Sequence, residues 1–156
     1  MRLALYQPDI AQNTGTILRL AACFGVPVDV IGPTGFDMSD RALKRAALDY
    51  LTHVNLTRHT SFDAFVERRS APGPSEGRLV LLSTKATTAH CDFAFAGNDT
   101  LLLGRESAGV PEAVHERVDA RITIPMLPGL RSLNVAVAAA IVLGEALRQT
   151  NGFPRS

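Results

Sequence analysis

The chain has 156 residues, of which 46% are hydrophobic, and its sixteen Lys and Arg stand against fifteen Asp and Glu. This length and apolar content suit one folded domain spanning residues 1–156 and exclude an intrinsically disordered protein. A formal net charge of +1 excludes a generic polyanion binder, so any nucleic-acid surface must be local.

Signals for membranes, disulfides and metals are weak throughout the sequence. The longest apolar run, residues 135–143, is far shorter than the roughly 20 residues that cross a bilayer, and the first residues lack a signal-peptide core. We therefore expect a cytoplasmic protein without membrane association. Cys23 and Cys91 lack CxxC spacing, which favours reduced, structural thiols over a catalytic thiol. The four histidines lack HxH or HExxH spacing, so no metal site is expected.

Strand and helix signals alternate along the chain. Apolar runs predict strands at 3–7, 28–31, 54–57, 78–83, 100–103 and 121–124. Apolar periodicity and capping residues predict helices at 13–24, 40–47, 61–68 and 109–117. In these, Asn13 and Ser39 are the expected N-caps and Gly25 the C-terminal stop. Segment 70–77 is predicted as a turn-rich surface loop. The pattern predicts an α/β fold, a single-domain parallel sheet flanked by helices.

The C-terminal stretch 122–143 combines a strand, a rigid loop and a helix start. Pro128 and Gly129 lie in the loop, and Ser132 or Asn134 is a suitable N-cap. The following helix is apolar at nine consecutive positions, 135–143. A helix without a polar face is expected to be buried on every side. In a chain of this size, the simplest way to cover it is a second copy of the chain.

Polar and glycine-containing loops follow three of the predicted strands, at 83–85, 104–109 and 125–134. Ligands of open parallel sheets bind outside the carboxyl ends of the strands, so these loops predict a pocket. The chain lacks GxGxxG after its first strand, which excludes the ordinary NAD fingerprint. Ser107 lies between a strand and a helix as a hydrolase nucleophile does, but Arg105 occupies the place of the first Gly of GxSxG, which disfavours a serine hydrolase.

Three segments, taken together, resemble the motifs of the SPOUT (SpoU-type) 2′-O-methyltransferases, RNA-modifying enzymes that use S-adenosylmethionine. They are Asn13-Thr-Gly15 with Arg19, Gly104-Arg-Glu-Ser-Ala-Gly-Val-Pro111, and Ile124-Pro-Met with Arg131-Ser-Leu-Asn134. The resemblance covers nearly the whole chain. Within this family, the chain is most similar to the members that methylate the tRNA wobble nucleotide, a cytidine or modified uridine. The similarity lies in the short length of the chain and in segments 41–50 and 82–85.

The resemblance implies a C-terminal trefoil knot, which general topology rules do not anticipate, and an obligate homodimer. It also implies that loops of the knot bind S-adenosylmethionine. The matching cofactor positions are Leu82, Gly104, Ile124, Ser132 and Asn134, with apolar walls from Leu103, Met126, Leu127 and Leu133. Glycines and prolines there would permit close backbone approach to the ligand.

The resemblance places Arg19 at the catalytic position, with Asn13 beside it. A guanidinium stays protonated in proteins, so we favour Arg19 holding an RNA phosphate and polarising the 2′-hydroxyl over Arg19 acting as the base. Without the other motifs, Arg19 would be interpreted as a solvated surface charge. Asn13 has two open roles, orienting Arg19 or capping its helix. Glu106 is expected to hold the pocket or the partner subunit.

Basic residues form a candidate RNA surface. We expect Arg41, Lys44, Arg45 and Arg131 to contact tRNA, and Arg58, Arg68 and Arg69 to extend the patch. The alternative for each is a charge that serves solubility. Two roles are kept for Tyr50, stacking on a base or filling the core.

Two positions depart from the wobble-specific pattern. Ala136 replaces a frequent Ser, which removes a pocket hydrogen bond, and Gly144 replaces a frequent Tyr. The alternatives kept open are 2′-O-methylation of another tRNA or rRNA site, and a non-catalytic RNA-binding dimer with the same fold.

Overall fold

The computed structural model describes residues 1–74 and 76–156; Ser75, in the predicted loop 70–77, lies outside the described residues. The strands are β1 Arg2–Tyr6, β2 Val28–Ile31, β3 Leu56–His59, β4 Leu79–Leu82, β5 Thr100–Leu103 and β6 Ala120–Ile122. The α-helices are α1 Ala11–Phe24, α2 Arg41–Ala47, α3 Phe62–Ser70, α4 Glu112–His115 and α5 Val135–Thr150. Short 3-10 turns span Leu48–Thr52 and His90–Asp92.

These six strands form one parallel sheet in the order β3-β2-β1-β5-β4-β6. Leu3 and Leu5 of β1 pack with α1 and α5 on one face, whereas Ala4 and Tyr6 pack with α3 and α4 on the other. Successive side chains of a strand point to opposite faces, so continuous apolar runs cover both. The predicted α/β fold is confirmed, and no described helix is long and apolar enough to cross a membrane.

Several predicted boundaries and caps are corrected. Helix α1 begins at Ala11 after Ile10, so Asn13 lies inside the first turn and does not cap it. Asp40, not Ser39, caps α2 by accepting from the Ala42 N–H. Strand β3 begins two residues later than predicted, and α4 has a single turn. Ser, Asp and Asn cap helices about equally well, so the sequence alone does not show which of them caps a given helix. Gly25 does end α1, with φ of 65°.

Helix α2 packs closely on α1 because Gly15 has no side chain. A Cβ at Gly15 would lie 2.5 Å from the Leu43 carbonyl oxygen and 2.7 Å from the Ala46 Cβ. The contact places α2 and the following 3-10 turn against α1. Gly15 therefore determines how near the basic helix lies to Arg19.

Helix α5 is not buried on every side in the single chain. Ala139, Val142 and Leu143 are buried against the sheet, but Val137 and Ile141 remain 49% and 39% exposed. The prediction of complete burial is wrong for one chain, because one row of apolar side chains lacks a neighbouring helix among residues 1–74 and 76–156. The cysteines were also predicted to be structural, yet both are free and exposed, so neither packs in the core.

Candidate active site

A cavity of about 560 Å³ lies at the carboxyl ends of β4, β5 and β6. Its walls come from the loops that follow these three strands, together with Ile10 and Asn13 at the start of α1. Parallel strands end at one edge of the sheet, so loops far apart in sequence converge there. The loops expected from the sequence to form a pocket are therefore together.

Eight of the nine residues predicted to form the cofactor site line this cavity. They are Leu82, Leu103, Gly104, Ile124, Met126, Ser132, Leu133 and Asn134. Leu127 was expected to add an apolar wall, but it is 75% exposed and is absent from the cavity lining that the described residues form. Contact of the other eight with a ligand stays a prediction.

The loop after β5 closes on itself beside the cavity. Arg105 and Gly109 each donate a backbone N–H to the other's carbonyl, at 3.0 and 2.8 Å. Gly109 has φ of 63°, and a Cβ at Gly104 would lie 2.7 Å from the Gly109 Cα. Glycine is needed at both positions, one for the left-handed conformation and the other for the close approach. The loop presents its backbone to the cavity in one conformation.

Asn13, in the first helix, and Asn134, just before the last helix, are hydrogen-bonded to each other at the cavity. The Asn134 Nδ2 donates to the Asn13 Oδ1 at 3.0 Å, while the Asn134 Oδ1 accepts from the Ala136 and Val137 N–H groups at the start of α5. Asn134 is thus the N-cap, one of the two candidates predicted. The observed partner of Asn13 is neither Arg19 nor the start of its own helix.

A cluster of two carboxyl groups borders the cavity. The Asp9 N–H donates to Glu106 Oε2 at 3.0 Å, and the Ser107 hydroxyl donates to Asp9 Oδ2. A hydrogen bond from Glu106 chiefly lowers the pKa of Asp9 to about 2, with Ser107 and Arg105 adding to the effect and desolvation opposing it. Burial chiefly raises the pKa of Glu106, and its hydrogen bond to Asp9 raises it further. The two neighbouring carboxyl groups therefore differ in acidity, and Asp9 is the stronger acid of the pair.

Sequence reasoning missed Asp9 and gave Ser107 no partner. Asp9 follows the first strand at the carboxyl edge of the sheet, and that position was the available signal. Ser107 donates to a carboxylate rather than to an imidazole. This geometry does not fit the hydrolase alternative, in which a histidine must accept the serine proton.

Arg19 lies outside the cavity of its own chain. It is exposed on α1, and its guanidinium carbon lies 5.1 Å from the centre of the Tyr50 ring. This distance suits a cation–π contact. Tyr50 therefore stacks on an arginine, an arrangement that neither of its two predicted roles included.

The predicted basic surface is partly present. Arg41, Lys44 and Arg45 are exposed on α2, and Arg131 is exposed at the cavity. In the predicted extension, Arg69 pairs with Glu76 and is only 10% exposed, whereas Arg68 also lies near Glu76 but is 44% exposed, so its contact with RNA stays a prediction. Charge in the sequence could not reveal these partners. Within residues 1–74 and 76–156, no group of His, Cys, Asp and Glu has an arrangement that could hold a metal ion.

Comparison with known proteins gives the same family along nearly the whole chain. Residues 1–144 match the model of the SpoU rRNA Methylase family. A tRNA (cytidine(34)-2'-O)-methyltransferase of Beijerinckia indica is 60% identical over 153 residues, covering 98% of this chain and 94% of the relative. A solved structure described as giving insights into the 2-OH methylation of C/U34 on tRNA has a TM-score of 0.89 and 43% identity, with 97% of this chain and 96% of that chain covered.

An AdoMet complex is also among the similar structures. The SpoU methyltransferase AviRb from Streptomyces viridochromogenes, in complex with the cofactor AdoMet, has a TM-score of 0.85 and 30% identity. The match covers 96% of this chain and 60% of that chain. The resemblance seen in the three sequence motifs is confirmed by both sequence and fold. The chain belongs to the SpoU methylase family.

Proposed function

We propose that the chain transfers a methyl group from S-adenosylmethionine to the ribose 2′-hydroxyl of the wobble nucleotide of tRNA, cytidine 34 or a modified uridine. The observation that carries the proposal is the cavity, because eight of the nine predicted cofactor-site residues line it. The near full-length similarity to a tRNA (cytidine(34)-2'-O)-methyltransferase supports the choice of substrate.

The residues around the cavity fit this cofactor. Leu82, Leu103, Ile124 and Met126 offer apolar surface to the adenine and ribose, and the loop containing Gly104 offers its backbone at close range. The cofactor supplies an electrophilic methyl group on its sulfonium sulfur. The residues of the chain must hold that group in line with the attacking hydroxyl and exclude water from the cavity.

Arg19 is proposed to hold an RNA phosphate beside the attacking ribose. A protonated guanidinium provides five N–H donors and suits phosphate geometry. Tyr50 covers one face of it and limits the directions it can take. In this proposal, Asn13 supports the cavity through Asn134 rather than through Arg19.

The exposed row on α5 supports a homodimer. Val137 and Ile141 are four residues apart on α5 and are 49% and 39% exposed, and Leu133, just before the helix, is 40% exposed. Residues at this spacing lie on one face of a helix, so they form a stripe that a second copy can cover. Val137→Glu with Ile141→Glu is expected to give monomers in light scattering; a dimer retained by this variant would place the interface elsewhere.

Two further features are proposed from the family. The trefoil knot would involve the loops after β5 and β6, whose convergence on one cavity is compatible with such threading. A cytoplasmic location is proposed because tRNA is the substrate.

Methyl transfer from labelled S-adenosylmethionine into unmodified tRNA, followed by nucleotide mapping, tests the function. Label on the ribose of nucleotide 34 is the expected result. Label only at another tRNA position or in rRNA would overturn the wobble assignment. A dimer that binds RNA and transfers no label to any RNA would indicate the non-catalytic alternative.

A further inference from the structure

Arg105 occupies a position at the cavity that neither the proposed cofactor cradle nor the basic patch on α2 uses. It lines the cavity between Gly104 and Glu106, immediately after β5. Its backbone is fixed by the reciprocal hydrogen bonds with Gly109. The side chain therefore leaves a rigid base at the edge of the cavity.

The guanidinium of Arg105 is only partly paired. One terminal nitrogen lies 3.5 Å from Asp9 Oδ2, and this is the ion pair that Arg105 makes in the described part of the chain. The Nε is buried and has no hydrogen-bond partner among the described residues. A guanidinium has five N–H donors, so most of the capacity of this group remains unused.

Asp9 positions this arginine without saturating it. The Asp9 carboxylate also accepts from the Ser107 hydroxyl on the same oxygen that faces Arg105. Asp9 is thereby held in place and directs the terminal end of the arginine, whose side chain is 35% exposed beside the cavity. A buried N–H donor without an acceptor is unfavourable, and a ligand oxygen arriving there would relieve it.

We propose that Arg105 forms an oxyanion-binding subsite at the edge of the cavity. The inference rests on the proposed function, which supplies two sources of such an oxygen. One is the carboxylate of the cofactor's methionine moiety, and the other is a phosphate of the RNA. Both accept hydrogen bonds from a guanidinium in the same planar geometry.

The test replaces Arg105 with Gln, which keeps a polar side chain and removes the charge and the fork of donors. Arg155→Gln removes the same charge from the exposed C-terminal segment and is the matched control. Calorimetry measures the dissociation constants of S-adenosylhomocysteine, which has the carboxylate, and of 5′-methylthioadenosine, which lacks it. Binding of unmodified tRNA is measured over a range of salt concentrations.

If the subsite takes the cofactor carboxylate, Arg105→Gln weakens S-adenosylhomocysteine about tenfold and leaves 5′-methylthioadenosine unchanged. If it takes an RNA phosphate, Arg105→Gln binds tRNA about tenfold more weakly and binds both nucleosides as before. The slope of log K against log salt then falls by the amount expected for about one phosphate that is no longer neutralised. Equal binding of all three ligands by Arg105→Gln and Arg155→Gln overturns the proposal. Equal weakening of both nucleosides, with a lower melting temperature, also overturns it, because the loop rather than the charge would then be responsible.

Failure of the proposed function gives a different result. In that case the wild-type protein itself binds neither S-adenosylhomocysteine nor tRNA, and the subsite is rejected together with the function. If the wild type binds both and Arg105→Gln is indistinguishable from it, the subsite alone is rejected.

Discussion

The side-chain amide of Asn134 bonds in two directions, to the start of its own helix and to Asn13, 121 positions away in the chain. Its oxygen accepts from the Ala136 N–H at 2.9 Å, and its nitrogen donates to Asn13 Oδ1 at 3.0 Å. One residue thus links the stability of α5 to the shape of the cavity. Substitutions can separate the two roles.

Asn134→Ser is expected to keep the helix cap and lose the hydrogen bond to Asn13. Ser caps a helix about as well as Asn, but its side chain is too short to reach Asn13, so the free energy of unfolding should stay within about 0.5 kcal/mol while methyl transfer falls. Asn134→Ala should lose both and cost about 1 kcal/mol. Urea unfolding and methyl transfer check this. A fully active Asn134→Ser would show that the link to Asn13 is dispensable.

Gly15→Ala and Gly144→Ala are expected to have opposite effects although both glycines lie in helices. The new Cβ at position 15 meets the Leu43 carbonyl oxygen, so unfolding should become easier by about 1–3 kcal/mol. A Cβ at position 144 would meet no described atom within 4 Å outside its chain neighbours and the backbone of its own helix, and the better helix propensity of Ala should stabilise by about 0.5–1 kcal/mol. Urea unfolding at one protein concentration measures both. Equal effects would contradict the packing described for α1 and α2.

Arg19→Ala is expected to abolish methyl transfer while S-adenosylhomocysteine binds almost as to the wild type, because Arg19 does not line the cavity. Tyr50→Leu should reduce transfer by removing the support of the guanidinium, whereas Tyr50→Phe keeps the ring and should restore it. Loss of S-adenosylhomocysteine binding in Arg19→Ala would contradict the proposal that Arg19 acts on the RNA and not on the cofactor.

Replacing Arg41, Lys44 and Arg45 with Gln should weaken the binding of tRNA regardless of its nucleotide sequence. It should also make the affinity less dependent on salt concentration. The slope of log K against log salt should fall by about 0.7–0.9 for every RNA phosphate that is no longer neutralised. The control changes Arg117, Arg148 and Arg155 to Gln, which removes the same charge elsewhere on the surface. Identical slopes for the two variants would leave α2 with a role in solubility alone.

The dependence of stability on pH should report the ionised state of Asp9. Its pKa in the folded protein is lowered to about 2 from an ordinary value of 3.8. The stabilisation is therefore complete above pH 3.8 and is lost as pH falls through 2. The difference in unfolding free energy between the wild type and Asp9→Asn should shrink over this range. A difference that is constant from pH 5 to pH 2 would contradict the assignment.

Much of this protein was predictable from local sequence. The apolar runs that form six parallel strands, the stop at Gly25 and the family motifs all depend on residue type and spacing, which act over a few positions. The helix starts were not predictable: Ser39 and Asp40 are both chemically competent to cap α2, and α1 begins after Ile10 although Asn13 has a capping side chain.

The sequence by itself determined the sheet, its alternation with helices and the three loops that carry the family motifs, because hydrophobic periodicity and glycine placement are local properties. Only the tertiary structure decided that Asn134 bonds Asn13, that Tyr50 covers Arg19, and that Asp9 pairs with Glu106 and Arg105. These contacts join segments from distant parts of the chain. Their partners depend on strand order and helix packing, which spacing along the chain does not encode.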